Sequence, residues 1–116
     1  MAPRKRPVGR LWRGRTSFAN AHPYLEHLRK ATLPRLGEIE GFRGAYVLKR
    51  VGEDDVEFAV LTLWASQDAI QAFAGRDAER AVIPVEAEQV LERWDERATH
   101  YEVTLEYRRA DDGCHN

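Results

Sequence analysis

Arg13 and Arg15 are the first residues whose type and spacing could do chemistry. They lie two apart in the run Val8-Gly9-Arg10-Leu11-Trp12-Arg13-Gly14-Arg15-Thr16. In an extended chain alternate side chains share a face, so both arginines point to the side of Leu11, and Trp12 and Thr16 to the other. Two guanidinium groups on one strand face are costly to bury unless paired or aimed at an anion. They can pair with acidic residues at the surface, or clamp a phenolate, enolate or carboxylate oxygen with bidentate geometry.

Two histidines could move a proton. His100 opens an alternating run and shares its face with Glu102 and Glu106, the setting of a general base or of a solvated strand edge. His22 stands beside Pro23 and Tyr24 at a helix start, where a proton carrier and a surface residue are both in keeping. Trp12, Trp64 and Phe73 are large enough to wall a planar ligand, and each could equally be a core packing residue. Other chemistries find no support. Cys114 is the lone cysteine, so neither an internal disulfide nor a multi-cysteine metal site can form. Cys114 and His115 are adjacent in the tail, and no helix carries His at i and i+4, so no metal is expected. A Gly-x-Ser-x-Gly elbow is missing, and Gly41-Phe42-Arg43-Gly44 lacks the strand-then-helix setting of a phosphate loop.

A chain of 116 residues has room for one domain and one core. Its 43% hydrophobic and 32% charged shares are ordinary for a globular protein. A net charge of -1 removes the basic field that drives nucleic-acid binding, and no run approaches the ~20 apolar residues of a membrane span. The basic opening lacks the apolar stretch of an export signal, so a cytoplasmic location is expected. We expect a basic flexible tail at 1–7, a domain at 8–108 and a flexible tail at 109–116.

The periodicities predict the elements that position these residues. A first strand over 8–16 leads to a helix capped by Ser17 or Asn20, with Leu25, Leu28, Ala31 and Thr32 as its inner stripe and Pro34 bending or ending it. Two strands, 42–51 and 56–64, flank the turn Gly52-Glu53-Asp54-Asp55. Ser66 caps a short helix ending near Gly75, a second helical piece runs from Val85 to Trp94, and a last strand alternates from Tyr101 to Tyr107. The order βαββααβ fits a split βαβ, an α+β ferredoxin-like fold with a four-stranded antiparallel sheet and helices on one face. The 56–64 strand is apolar on both sides, with Phe58, Val60 and Trp64 on one and Ala59, Leu61 and Leu63 on the other. Helices can cover only one of these sides, so the other should meet a second copy of the chain.

The run Phe58-Ala59-Val60-Leu61-Thr62-Leu63-Trp64-Ala65-Ser66, continuing through Ala69-Ile70-Gln71-Ala72-Phe73-Ala74-Gly75, resembles the central signature of the antibiotic biosynthesis monooxygenase superfamily. The stretches Trp12-Arg13-Gly14-Arg15-Thr16 and His100-Tyr101-Glu102-Val103 are similar to its first and last strands. The resemblance spans roughly residues 8 to 107 and implies a dimeric α/β barrel. Some members oxidise polycyclic phenols with oxygen and no metal or flavin; others open haem. The haem-opening group resembles this chain less well. Its working first-strand Asn, helix Trp and proximal His fall, by ungapped counting from Trp64, near Arg13, on Phe73 and near Ile83.

The resemblance therefore implies a homodimeric small-molecule-binding protein that oxygenates a planar phenolic or polyketide-like compound without a cofactor. Arg13 or Arg15 would hold its anion, Trp64 and Phe73 would sandwich its rings with Trp12 beside them, and His100 or His22 would move a proton. The alternative is a non-catalytic dimeric binding or scaffold domain. An open cavity with an arginine at its wall separates the first from the second.

Overall fold

The computed structural model describes residues 6–110. Of the expected tails at 1–7 and 109–116, residues 1–5 and 111–116, with Cys114 and His115, lie outside the described residues. Strand β1 (Val8–Thr16) runs into α1 (Phe18–His27), whose cap is Ser17: its Oγ accepts from the Asn20 backbone N–H at 3.1 Å. Pro34 cannot donate a hydrogen bond, and its ring crowds the carbonyl four residues earlier. Just before it the helix widens into a π-helical turn, Leu28–Thr32, closed by the Leu33 N–H on the Leu28 carbonyl. The helix then continues as α2 (Leu33–Leu36) instead of ending. The extra residue in that turn moves the inner stripe to Tyr24, Leu28, Thr32 and Leu36, and leaves Ala31 exposed.

Strands β2 (Phe42–Val51) and β3 (Val56–Trp64) form the expected hairpin, closed by the Gly52 N–H on the Asp55 carbonyl at 2.8 Å. Ser66 caps α3 (Gln67–Ala74), accepting from the Ala69 N–H at 3.2 Å. The second helical piece is shorter than its periodicity suggests. It is α4 (Val85–Glu88), because Glu92 N–H is already bonded to the Arg15 carbonyl, and Arg93–Trp94 then pair with β1 as β4. After Asp95 to Ala98 the chain rejoins β1 as β5 (Thr99–Glu102). The fourth strand is thus two pieces along one edge of β1, in a sheet of order β2-β3-β1-β4 with β5 also on β1. The final strand stops early because β1 gives out. Val103 N–H bonds the Pro7 carbonyl, and Leu105 and Tyr107 are exposed.

Helices cover one face of this antiparallel sheet, an α+β ferredoxin-like architecture. Under them lie Val8, Trp12 and Thr16 of β1 and Phe58, Val60 and Trp64 of β3. The opposite face carries Leu11, Ala59, Leu61 and Leu63, half-buried, with Tyr46, Leu48 and Tyr101 exposed around them. Among the described residues no helix is long and apolar enough to cross a membrane.

Gly14 gives Trp12 its place. A Cβ there would lie 2.7 Å from Cη2 of Trp12 and 3.1 Å from Cδ2 of Leu91. The Trp12 ring lies across this bare position, and its indole N–H donates to the Asp95 carbonyl at 2.8 Å, in the gap between β4 and β5. Gly14→Ala should therefore lower unfolding stability by about 1–3 kcal/mol. Gly9→Ala, whose Cβ would meet Leu61 at an ordinary 3.6 Å, should change it by less than about 0.5 kcal/mol. Denaturant melts of the two variants check this, and equal effects would contradict it.

Candidate functional site

One polar row crosses the core-facing side of the sheet. Register aligns Ala45 on β2 with Thr62 on β3, Thr62 with Arg10 on β1, and Arg10 with His100 on β5. The row divides the core. On one side Trp12, Tyr24, Leu28, Phe58 and Leu91 pack together; on the other are Val8, Leu36, Trp64 and Ile70. Neither cluster closes over the row, and a cavity of about 70 Å³ remains between them. Its floor is Arg10, Trp12, Val60 and Thr62 from the sheet, its roof Tyr24, His27 and Leu28 from α1 and the π turn, and Phe73 of α3 also lines it.

Val82, Ile83 and Pro84 close a third side. Their segment is tied down outside the cavity by Ala81 N–H on the Glu96 carbonyl and Ala98 N–H on the Glu79 carbonyl, at 2.9 and 2.7 Å. Arg97 reinforces the tie, reaching both carboxylate oxygens of Asp77 at 2.8 and 2.9 Å. The volume is far below the ~300–1,000 Å³ of ordinary ligand pockets, so a polycyclic guest requires one of these walls to move.

Arg10 is the charge at the centre. It is only 6% exposed, yet one guanidinium nitrogen donates to the Arg80 carbonyl at 2.9 Å and the group lies 5.3 Å from the centroid of Phe73. Its Nε is buried with no partner. Burial lowers its pKa to about 10, with Glu79 pulling the other way, so the group stays charged near neutrality. Phe73 in turn stacks on Trp64 at 5.9 Å. Behind Arg10, His100 holds its Nδ1 3.0 Å from the Gln67 amide nitrogen, and its Nε2 is buried without a partner. Burial, then the Arg10 charge, lowers the His100 pKa, partly countered by Glu79. On the roof, burial pushes the Tyr24 hydroxyl well above the usual phenol range, and His27 Nε2 is buried with no protein partner.

Residues 16–85 match the antibiotic biosynthesis monooxygenase family. The chain belongs to that family. Solved structures share its fold. A Bacillus cereus protein assigned to the antibiotic biosynthesis monooxygenases aligns at 16% identity and TM-score 0.64, over 90% of this chain and 99% of that one. A protein of unknown function from Nitrosomonas europaea gives 16% and 0.66, over 92% and 98%. A haem-degrading protein from Mycobacterium tuberculosis gives 24% and 0.59, over 90% and 98%. A search of curated proteins returned no match.

Within this monooxygenase-family fold the sequence-derived candidates separate. Trp12 and Phe73 line the cavity. Trp64 does not: it is fully buried behind Phe73, its indole N–H bonded to the Thr62 hydroxyl at 2.8 Å. Arg13 and Arg15 lie on the opposite face of the sheet, where Arg13 pairs with Asp95 at 3.5 Å and Arg15 with Asp55 at 3.0 Å. His22 is on the exposed side of α1, 4.0 Å from Glu26. His100 stands beside Arg10, one layer back from the cavity.

The cavity residues that sequence reasoning passed over are Arg10, His27 and Tyr24. A signal for Arg10 was present: it shares its strand face with Trp12 and Thr16, and a charge on a core-facing position is the informative exception. Nothing local marked His27, because its place depends on how the helix lies on the sheet. Among the described residues no group of His, Cys, Asp and Glu is arranged to hold a metal ion.

Proposed function

We propose that the cavity between sheet and helices binds a small planar organic molecule carrying an acidic oxygen, and that the protein oxygenates it without a cofactor. The observation that carries this reading is Arg10, a charged guanidinium buried at the wall of an apolar cavity, with an N–H that no protein group meets. A buried charge with spare donors is matched by an anion. In this reading Arg10 takes the place first expected of Arg13 and Arg15, and Phe73 and Trp12 flank the ligand rings. The chemistry balances with oxygen alone: a methylene activated by the anion becomes a carbonyl with one oxygen atom, the other leaves as water, and the substrate supplies all four electrons.

The same haem-degrading protein from Mycobacterium tuberculosis, in a second structure, holds two haems in its active site. Here Phe73 and Ile83, at or near two of the positions that carry the haem chemistry, both line the cavity, and neither offers iron a ligand. Haemin is the comparison ligand, and His27 Nε2 is the cavity group that its iron could meet. The apolar outer face of the sheet supports a homodimer, since Leu11, Leu61 and Leu63 with Tyr46, Leu48 and Tyr101 form a surface that a second copy would cover.

An anthrone at about a hundredfold over its dissociation constant should raise stability by roughly 2.7 kcal/mol in a thermal-shift assay and support oxygen uptake. Arg10→Met should lose both, and Arg13→Ala neither. No shift and no uptake with any planar phenol would favour the non-catalytic domain. Light scattering at micromolar concentration should give twice the mass of one chain, and a monomer mass would refute the dimer.

A further inference from the structure

The cavity is one-sided in its charges. Among the described residues no aspartate, glutamate, lysine or cysteine lines it; its titratable side chains are Arg10, Arg35, Tyr24 and His27. The arginines cannot serve as bases, and the Tyr24 hydroxyl holds its proton more firmly than an ordinary phenol. That leaves one side chain with a basic lone pair, the imidazole of His27. It stands on the helical wall, facing the sheet that carries Arg10. Its Nε2 is shielded from solvent and meets no protein group, a condition that a ligand or a trapped water would relieve. The next residue begins the π-helical turn, a departure from α geometry that is frequent at functional positions.

We propose that His27 is the proton acceptor of the cavity and that the protein selects weak acids, phenols or enolisable ketones, which enter neutral and are held ionised between His27 and Arg10. The inference rests on the cavity being the binding site, as argued above. The acidic bond of the substrate breaks, O–H in a phenol or the C–H beside the carbonyl in a ketone; its proton bonds to Nε2 of His27, and the electron pair comes to rest on the substrate oxygen, whose charge meets the Arg10 guanidinium. Preformed carboxylates need only Arg10. Neutral molecules with no acidic proton use neither group.

Three probes of one shape separate these roles: 2-naphthol, 2-naphthoate and naphthalene, each titrated at neutral pH with excess protein and followed by absorbance. Wild type should convert bound 2-naphthol to the anion, read from the naphtholate band, and should bind 2-naphthoate, with naphthalene at least tenfold weaker. His27→Gln should lose the naphtholate band at least tenfold and keep 2-naphthoate affinity within about threefold. Arg10→Met should lose both ligands, with circular dichroism confirming the fold of each variant. A naphtholate band that persists in His27→Gln overturns the role of His27 and leaves the cavity reading standing. So does an equal loss of 2-naphthoate, which would make His27 a shaping residue of the wall. If wild type binds none of the three, the cavity reading fails, and this inference with it.

Discussion

Burying the Arg10 guanidinium under the helix layer is the constraint around which the core is arranged. A charged group removed from water must be met by hydrogen bonds or by opposite charge. Here the Arg80 carbonyl and the Phe73 ring meet it only in part, and no carboxylate lies within ion-pairing distance of it among the described residues. The unmatched Nε–H alone costs about 1–3 kcal/mol. An apolar residue in its place would let the two hydrophobic clusters join. The cavity is the gap that Arg10 and Thr62 hold open between them.

The surrounding elements are placed with respect to that gap. Bare Gly14 lets the Trp12 ring lie flat along β1, and the Asp95 carbonyl, freed where the edge strand breaks, fixes its indole. Trp64, sealed beneath Phe73, keeps that ring beside the guanidinium, so a fully buried residue sets the position of one that lines the site. On the helical side the π turn that accommodates Pro34 carries Thr32 and Leu36 inward, and turns Ala31 outward. The segment carrying Val82 to Pro84 is pinned by the Glu79 and Ala81 backbone and by Asp77–Arg97, and the Arg80 carbonyl ties it to Arg10 from within.

Most of this architecture was legible in the sequence because it follows from local rules. The alternation in Val56–Trp64, the caps at Ser17 and Ser66, and the Gly52–Asp55 turn each fix their own element. What local pattern could not give was which neighbour wins. Arg93 and Trp94 continue a helical period after Val85, yet the free edge of β1 takes them as strand, since pairing satisfies backbone groups that a four-residue helix leaves open. Tyr101 to Tyr107 alternate well, but β1 begins at Val8 and leaves the latter half without a partner. For the site, face assignment decided the outcome. Arg13 and Arg15 were correctly placed on the side away from Trp12, and that side is the one remote from the cavity.

The central claim, that Arg10 is kept for a ligand and not for the fold, is tested most directly by urea unfolding of Arg10→Met beside wild type, both without ligand. The variant should be as stable as wild type or more so, because methionine keeps an apolar stem at that position with no charge to desolvate. A loss of about 3 kcal/mol or more, the scale expected when a needed buried polar tie is broken, would contradict it and make Arg10 a structural anchor of the segment that closes the cavity.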